Sequence, residues 1–346
     1  MKLRALALVG LLGLAACDAG QPAAAAPIAC ASGSIAGQGS SAQATAVTSW
    51  IKNYQVACSG AAISYGAVGS GAGVTAFVGG QGNFAGSDSA LSAVFASQAQ
   101  AHCGGPALHL PMVVGPIALA YNVAGVDDLR LKPATIAGIF GGTITAWNDP
   151  AIAVDNPGAV LPTTPIRTVH RSDSSGTTDN FTKFLAGTSP WPSGSGSTWK
   201  APGGTAAKGS NGVVAAIERT EGAIGYVEAS YARFHELPTA LVGNAAGDFV
   251  ALTDSAAAAQ VAGARIVGTG SDLELALDYK TARAGAYPIV LVTYEIVCAK
   301  GAGPLVKSFF SYAVSPAGQA AATRLGYAPL PDALRAKVAT SVAGLA

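Results

Sequence analysis

Residues 110–121 read LPMVVGPIALAY, an uncharged run, and residues 287–297 read YPIVLVTYEIV, whose one charge is Glu295. Both are longer than the apolar runs around them, yet neither reaches the roughly 20 residues a membrane helix needs. Each is long enough to carry the chain out of one domain and into another. Two such crossings divide the sequence into a middle piece, residues 119–289, and two outer pieces. The outer pieces, residues 30–118 and 290–346, are expected to join as a second domain. A chain of 346 residues is too long for one ordinary core and comfortable for two.

Strand-like and helix-like runs alternate on both sides of the first crossing, the pattern of an α/β fold. Ser34–Ala36 reads as a strand, and Val47, Trp50, Ile51 and Tyr54 then fall on one face of a helix. Ala61–Val68 and Asn83–Gly86 read as the second and third strands. Pro and Gly cluster over 187–212, which reads as a surface excursion.

The first sixteen residues are a leader, with Lys2 and Arg4 ahead of the apolar run Ala5–Ala16. The sequence Leu14-Ala15-Ala16-Cys17 resembles the lipobox of bacterial lipoproteins, which implies cleavage before Cys17 and a lipid on its sulfur. Residues 17–29 then form a tether. With Cys17 lipidated, four cysteines remain for an oxidising compartment. They allow three pairings, and the sequence alone does not choose among them. Cys30 and Cys58 each precede one of the first two strands, and Cys103 and Cys298 each lie near one crossing run. Strand adjacency therefore favours Cys30–Cys58 and Cys103–Cys298.

Charge is sparse and balanced, 20 basic against 19 acidic residues, with no basic patch to suggest a nucleic-acid partner. The motifs of other anion users are missing: no Walker-type loop, no G-x-S-x-G elbow and no H-E-x-x-H occur. Gly69-Ser70-Gly71-Ala72-Gly73-Val74 fails the dinucleotide pattern at its last position. His102, His109, His170 and His235 are scattered and read as structural.

What the chain repeats is a strand followed by a loop of glycine and hydroxyl residues. Such loops occur at Gly39-Ser40-Ser41-Ala42, Gly69-Ser70-Gly71, Gly86-Ser87-Asp88 and Arg171–Thr177. A helix start leaves backbone N–H groups without partners and carries partial positive charge. Glycines let a ligand approach the backbone, and hydroxyls add donors, so each loop is a receptor for an oxyanion. Any one of them could merely cap a helix; four together, one with an arginine, point to a site.

The fourth loop, HRSDSSGTTDNFTKFL at 170–185, resembles the signature of the phosphate-binding lipoproteins of the high-affinity phosphate ABC transporter, the PstS family. GSSAQATAV, YGAVGSGAGV, FAGSDSAL, IFGGTITAWNDPAI, GAIGYVE and YPIVLVTYEIV match in the family's order over nearly the whole chain. The cysteine-bearing mycobacterial type is the most similar. The resemblance implies a two-domain periplasmic-binding-protein fold of type II, hinged by the two crossover strands. It implies phosphate in the cleft, no reaction, no cofactor and no metal. It also implies a monomer held by Cys17 on the outer face of the cytoplasmic membrane, with permease subunits as partners.

Carried over residue by residue, the resemblance makes Ser40, Ser41, Ala42, Ser70, Asp88, Arg171, Ser175, Gly176 and Thr177 the phosphate ligands. Arg171 offers a two-pronged donor, and Asp173 either braces it or caps the helix. Phe181, Phe184 and Leu185 give that helix its buried face. Asp88 is the odd member, a carboxylate in an anion site. Phosphate keeps a proton near neutral pH and can donate it to Asp88; sulfate has none to give. Two other readings of these residues are a metal-independent phosphoesterase using a serine of Asp173–Gly176, and a binder of another oxyanion such as sulfate.

Overall fold

The protein is described here over residues 27–346 by a computed structural model. The leader, Cys17 and its expected lipid lie outside the described residues. The chain opens with β1 (Gly33–Gly39), α1 (Ala44–Ala57), β2 (Ala61–Gly66), α2 (Ser70–Val78), β3 (Phe84–Ser87) and α3 (Ala93–Cys103). It then runs along the 16-residue strand β4 (Ala107–Asn122). The middle piece holds β5 (Arg130–Leu131), α4 (Pro133–Phe140), α5 (Pro150–Asp155), β6 (Arg167–Arg171), α6 (Gly176–Thr188) and β7 (Thr205–Ala207). There follow α7 (Gly209–Glu218), β8 (Ala223–Glu228), α8 (Ala229–Phe234), β9 (Leu241–Gly243), β10 (Phe249–Val250), α9 (Asp254–Val261), β11 (Arg265–Ile266) and β12 (Leu275–Ala276). The return strand β13 (Val290–Cys298) leads into α10 (Gly303–Val314), α11 (Pro316–Thr323) and α12 (Asp332–Ala343).

One eight-stranded sheet runs β2-β1-β3-β13-β4-β8-β6-β7. It is parallel at both ends, where β1 pairs β2 and β3 and where β6 pairs β7 and β8. Its middle is antiparallel, and β4 is shared. Residues 107–116 of β4 pair with β13, and residues 117–122 pair with β8. The two apolar runs of the sequence are these two central strands, and side chains along both are buried. Pro111 has no N–H to give the ladder, and the β4–β13 register slips beside it, between Thr293 and Tyr294.

Local sequence accounts for the helices that matter below. Val47, Trp50 and Tyr54 are buried as one face of α1, and Trp50 Nε1 donates to Gly318 O at 2.7 Å. Phe181, Phe184 and Leu185 are buried in α6, where Phe181 stacks on Tyr226 and Trp199. Burying such a side chain stabilises by about 1.5–3 kcal/mol, which fixes the helix and with it the position of its N-terminus.

The 187–212 stretch departs from the expected surface excursion. Residues Thr205–Ala207 form the edge strand β7, parallel to β6, and the preceding turn carries Trp199 onto His170. Three residues reading TAA carry no periodicity, so the strand exists only because β6 presents an open edge.

Cys30 is bonded to Cys58 with Cα atoms 5.4 Å apart, and Cys103 to Cys298 with Cα atoms 5.3 Å apart. The second bridge spans 195 residues, and holds α3 to the end of β13. Replacing Cys103 and Cys298 together by serine should lower unfolding free energy by about 2–5 kcal/mol in urea titrations, because the unfolded chain regains the loop's freedom. An unchanged urea midpoint would show that the bridge does not constrain the chain.

Candidate anion-binding site

The ends of β1, β3 and β6 and the start of α2 bring the four glycine–hydroxyl loops to one place. Gly39 sits at φ 147°, and a Cβ there would lie 2.0 Å from Gly86 O. That closeness lets Ser40 N donate to Gly86 O at 2.8 Å and joins the first loop to the third. Gly69 N donates to Gly39 O at 2.8 Å and brings the second loop alongside. The fourth loop docks on the other three through Ser70. Ser70 Oγ accepts from Gly176 N and from Asp88 N, both at 3.3 Å, and donates to Asp88 Oδ2 at 3.2 Å. A Cβ on Gly176 would fall 2.4 Å from Asp88 Cβ, so only glycine allows this approach.

All nine residues singled out in the sequence are therefore together, and all are buried. Arg171 is 3% exposed, and its Nε and Nη2 donate to Asp173 Oδ1 and Oδ2 at 2.7 and 2.5 Å. Asp173 thus occupies one edge of the guanidinium and leaves the Nη1–Nη2 edge for another acceptor. The cap of α6 is Ser175, whose Oγ accepts from Thr178 N. Burial works against ionised Asp173, but the bonds and charge of Arg171, with Gly209 N–H, hold its carboxyl below the usual range. Thr177 Oγ1, in the first turn of α6, is buried without a hydrogen-bond partner.

Asp88 faces these donors from the opposite side, also 3% exposed. Burial raises its pKa, against hydrogen bonds from Ser40, Thr293 and Ser70 and the charge of Arg171. Thr293 Oγ1 donates to Asp88 Oδ1 at 2.7 Å from the middle of β13.

Several contributors were not marked in the sequence. Ser210 bonds Ser41 through its N–H at 3.2 Å and its Oγ at 3.0 Å, from the start of α7. Its surroundings, Gly209-Ser210-Asn211-Gly212, repeat the glycine–hydroxyl pattern and could have been found by it. Tyr231 and Tyr327 donate to Ser41 O and Ala42 O at 2.6 and 2.7 Å. Nothing local in the sequence flags those two.

The pieces of a hydrolytic site do not converge here. Ser174 Oγ donates to Ser197 Oγ, and His170 packs on Trp199 with Nδ1 against Arg171 O. Elsewhere, His109, Asp272 and Glu274 bring three possible metal ligands within 4.8 Å. His109 Nε2 accepts from Leu91 N at 3.0 Å, so Nδ1 carries the proton toward Asp272 and offers no lone pair.

The model of the PBP superfamily domain matches residues 24–317. Phosphate-binding protein PstS 3 of Mycobacterium leprae is 43% identical over 317 residues, 89% of this chain and 86% of that protein. The chain belongs to the PstS family of phosphate-binding proteins. Within the family, PstS 3 of Mycobacterium tuberculosis is 44% identical over 89% of this chain and 85% of its own. PstS of Xylella fastidiosa is 33% identical over 87% of this chain and 82% of its own. A high-affinity periplasmic phosphate-binding protein, PfluDING, solved with phosphate bound, superposes with a TM-score of 0.69 at 25% identity, covering 89% of this chain and 93% of that one. The fold is thus the two-lobed type II arrangement of the periplasmic binding proteins.

A buried acid near the central strands sets a pH dependence. Glu228 ends β8, its Oε2 accepts from Ser230 N at 3.0 Å and from Ser230 Oγ, and its Oε1 has no partner. Burial pushes its carboxyl from 4.5 up to about 8. Between those values the unfolded chain has shed the proton that the folded one keeps, so stability falls as pH rises through the window. In urea titrations across pH 5–8, Glu228→Gln should remove a slope of up to roughly 1.4 kcal/mol per pH unit. Identical slopes in both proteins would place the ionisation of Glu228 below the window.

Proposed function

We propose that this protein captures inorganic phosphate between two domains, residues 30–118 with 290–346 and residues 119–289, and delivers it to the permease subunits of a phosphate ABC transporter. The observation that carries this reading is Arg171, a buried guanidinium with its Nε–Nη2 edge satisfied by Asp173 and its Nη1 without a hydrogen-bond acceptor among the described residues. Phosphate would take that second edge and the orphaned Thr177 Oγ1, and would draw onto itself donors of Ser40, Ser41, Ala42, Ser70, Gly176 and Thr177, some of which bond one another in its absence, as Gly176 N–H does to Ser70 Oγ and Ala42 N–H to Ser40 Oγ. Its remaining proton would go to Asp88. Closure of the domains on the ion would desolvate it and engage both sets of donors at once.

The protein acts in this reading by binding alone and makes or breaks no bond. It works outside the cytoplasmic membrane as a monomer anchored by a lipid on Cys17. The names of its relatives support the ligand; the lipobox at Leu14–Cys17 supports the anchor.

Calorimetry with phosphate and sulfate at constant ionic strength tests the assignment. Arg171→Ala should lose about 2–5 kcal/mol of phosphate affinity, the usual result of truncating one member of a buried charge pair. Arg171→Lys should recover only part, because a point charge does not replace the fork. Asp88→Asn should weaken phosphate by about 1.5–3 kcal/mol and turn sulfate into a measurable ligand. Wild-type affinity in Arg171→Ala would remove the site; equal sulfate rejection by Asp88→Asn would remove the filter.

A further inference from the structure

Ser41 is a proposed phosphate ligand that belongs to one domain and is held from the other. Its carbonyl accepts from Tyr231 Oη at 2.6 Å. Its Oγ accepts from Ser210 N at 3.2 Å and meets Ser210 Oγ at 3.0 Å. In the domain division proposed above, Ser41 lies in the outer pieces, and Ser210 and Tyr231 lie in the middle piece. All three bonds therefore cross the cleft, between side chains that are buried. Neither Ser210 nor Tyr231 is among the proposed ligands.

Proton counting fixes the direction of these bonds. A carbonyl only accepts and a backbone N–H only donates, so Tyr231 and Ser210 N each give a proton to Ser41. Burial pushes the Tyr231 phenol up to about 12, so it remains a donor. Ser41 Oγ accepts from Ser210 N and still has its own proton to give. When that proton turns to an anion, Ser210 Oγ takes the donor role in the hydroxyl pair. The bonds from the middle piece thus leave Ser41 free to donate, which is what an anion requires.

The middle piece fixes both donors from its own side. Ser210 stands in the first turn of α7, behind Gly209, whose φ of 66° is a backbone that glycine adopts readily. Gly209 N donates to Asp173 Oδ1 at 3.1 Å, the oxygen that also accepts from Arg171 Nε. The start of α7 is therefore tied to the guanidinium through one carboxylate. Tyr231 lies in α8, directly after β8, the strand that pairs with residues 117–122 of β4.

We propose that Ser210 and Tyr231 are positioning residues that clasp Ser41 across the cleft, and that they set how long bound phosphate stays rather than how fast it arrives. The inference rests on the phosphate reading and its domain division. An ion enters while the domains are apart, before the three bonds exist, so the clasp does not act on association. It must come undone before the ion leaves, so its loss appears in the dissociation rate.

Radiolabelled inorganic phosphate chased with unlabelled phosphate measures the two rates separately. Ser210→Ala and Tyr231→Phe should each release phosphate about two- to tenfold faster, the range for one lost hydrogen bond, with association within about twofold of wild type. Repeating both in a Ser41→Ala background separates a clasp from a general loss of structure. There Ser210→Ala should add less than about twofold, because its partner oxygen is gone. Tyr231→Phe acts on the carbonyl, which Ser41→Ala keeps, and should retain its effect. An equal effect of Ser210→Ala in both backgrounds, or a change confined to association, would overturn the proposal. Should Tyr231→Phe not fold, the Ser210–Ser41 pair decides alone. Were wild type to bind no phosphate, the phosphate reading would fail, and amide exchange of ligand-free protein would decide the clasp. Ser210 N–H should then exchange about two- to tenfold faster in Ser41→Ala than in wild type, and equal exchange would overturn it.

Discussion

A guanidinium that water barely reaches must be compensated where it lies, and Arg171 sets that requirement for the whole cleft. Asp173, two residues along, covers one edge and keeps the fork from swinging. The other edge, at Nη1, has no acceptor among the described residues, and the first turn of α6 begins five residues along the chain. A buried cation with one free edge, beside the orphaned hydroxyl of Thr177, suits an anion. In the proposed reading Asp88 limits which anion, because a buried carboxylate in the same site tolerates a ligand that brings its own proton.

The fold serves that requirement by sharing its central strand. Because β4 pairs with β13 over one half and with β8 over the other, the loops of β1 and β3 and the loop of β6 open toward the same cleft. The glycines at 39, 86 and 176 then allow backbone and side chain to approach within distances that a Cβ would forbid. Ser70 is one point of contact between the two sides, with three hydrogen bonds on one oxygen, and Ser41 is another, bonded to Ser210 and Tyr231.

The sequence shows the parts that depend on local order. Each glycine–hydroxyl loop follows a strand and opens or precedes a helix or turn, so its capacity for an anion is visible in a few residues. The apolar runs at 110–121 and 287–297 show the two central strands for the same reason. Spacing alone permits Asp173 both roles; the structure puts it on Arg171 and gives the cap to Ser175. What the sequence conceals is register. Thr293 reaches Asp88 across 205 residues only because β13 pairs with β3 in one alignment. The strand Thr205–Ala207 is invisible for a related cause, since an edge strand of three small residues is made by its neighbour.

In the proposed reading this buried cluster selects phosphate over a dianion of the same shape that carries no proton. Thermal unfolding of the protein with phosphate or sulfate at matched ionic strength tests it most directly. Phosphate at about one hundred times its dissociation constant should add about 2.7 kcal/mol of stability, and sulfate at the same concentration should leave the transition where it was. Equal shifts from both anions, or none from phosphate, would contradict the account.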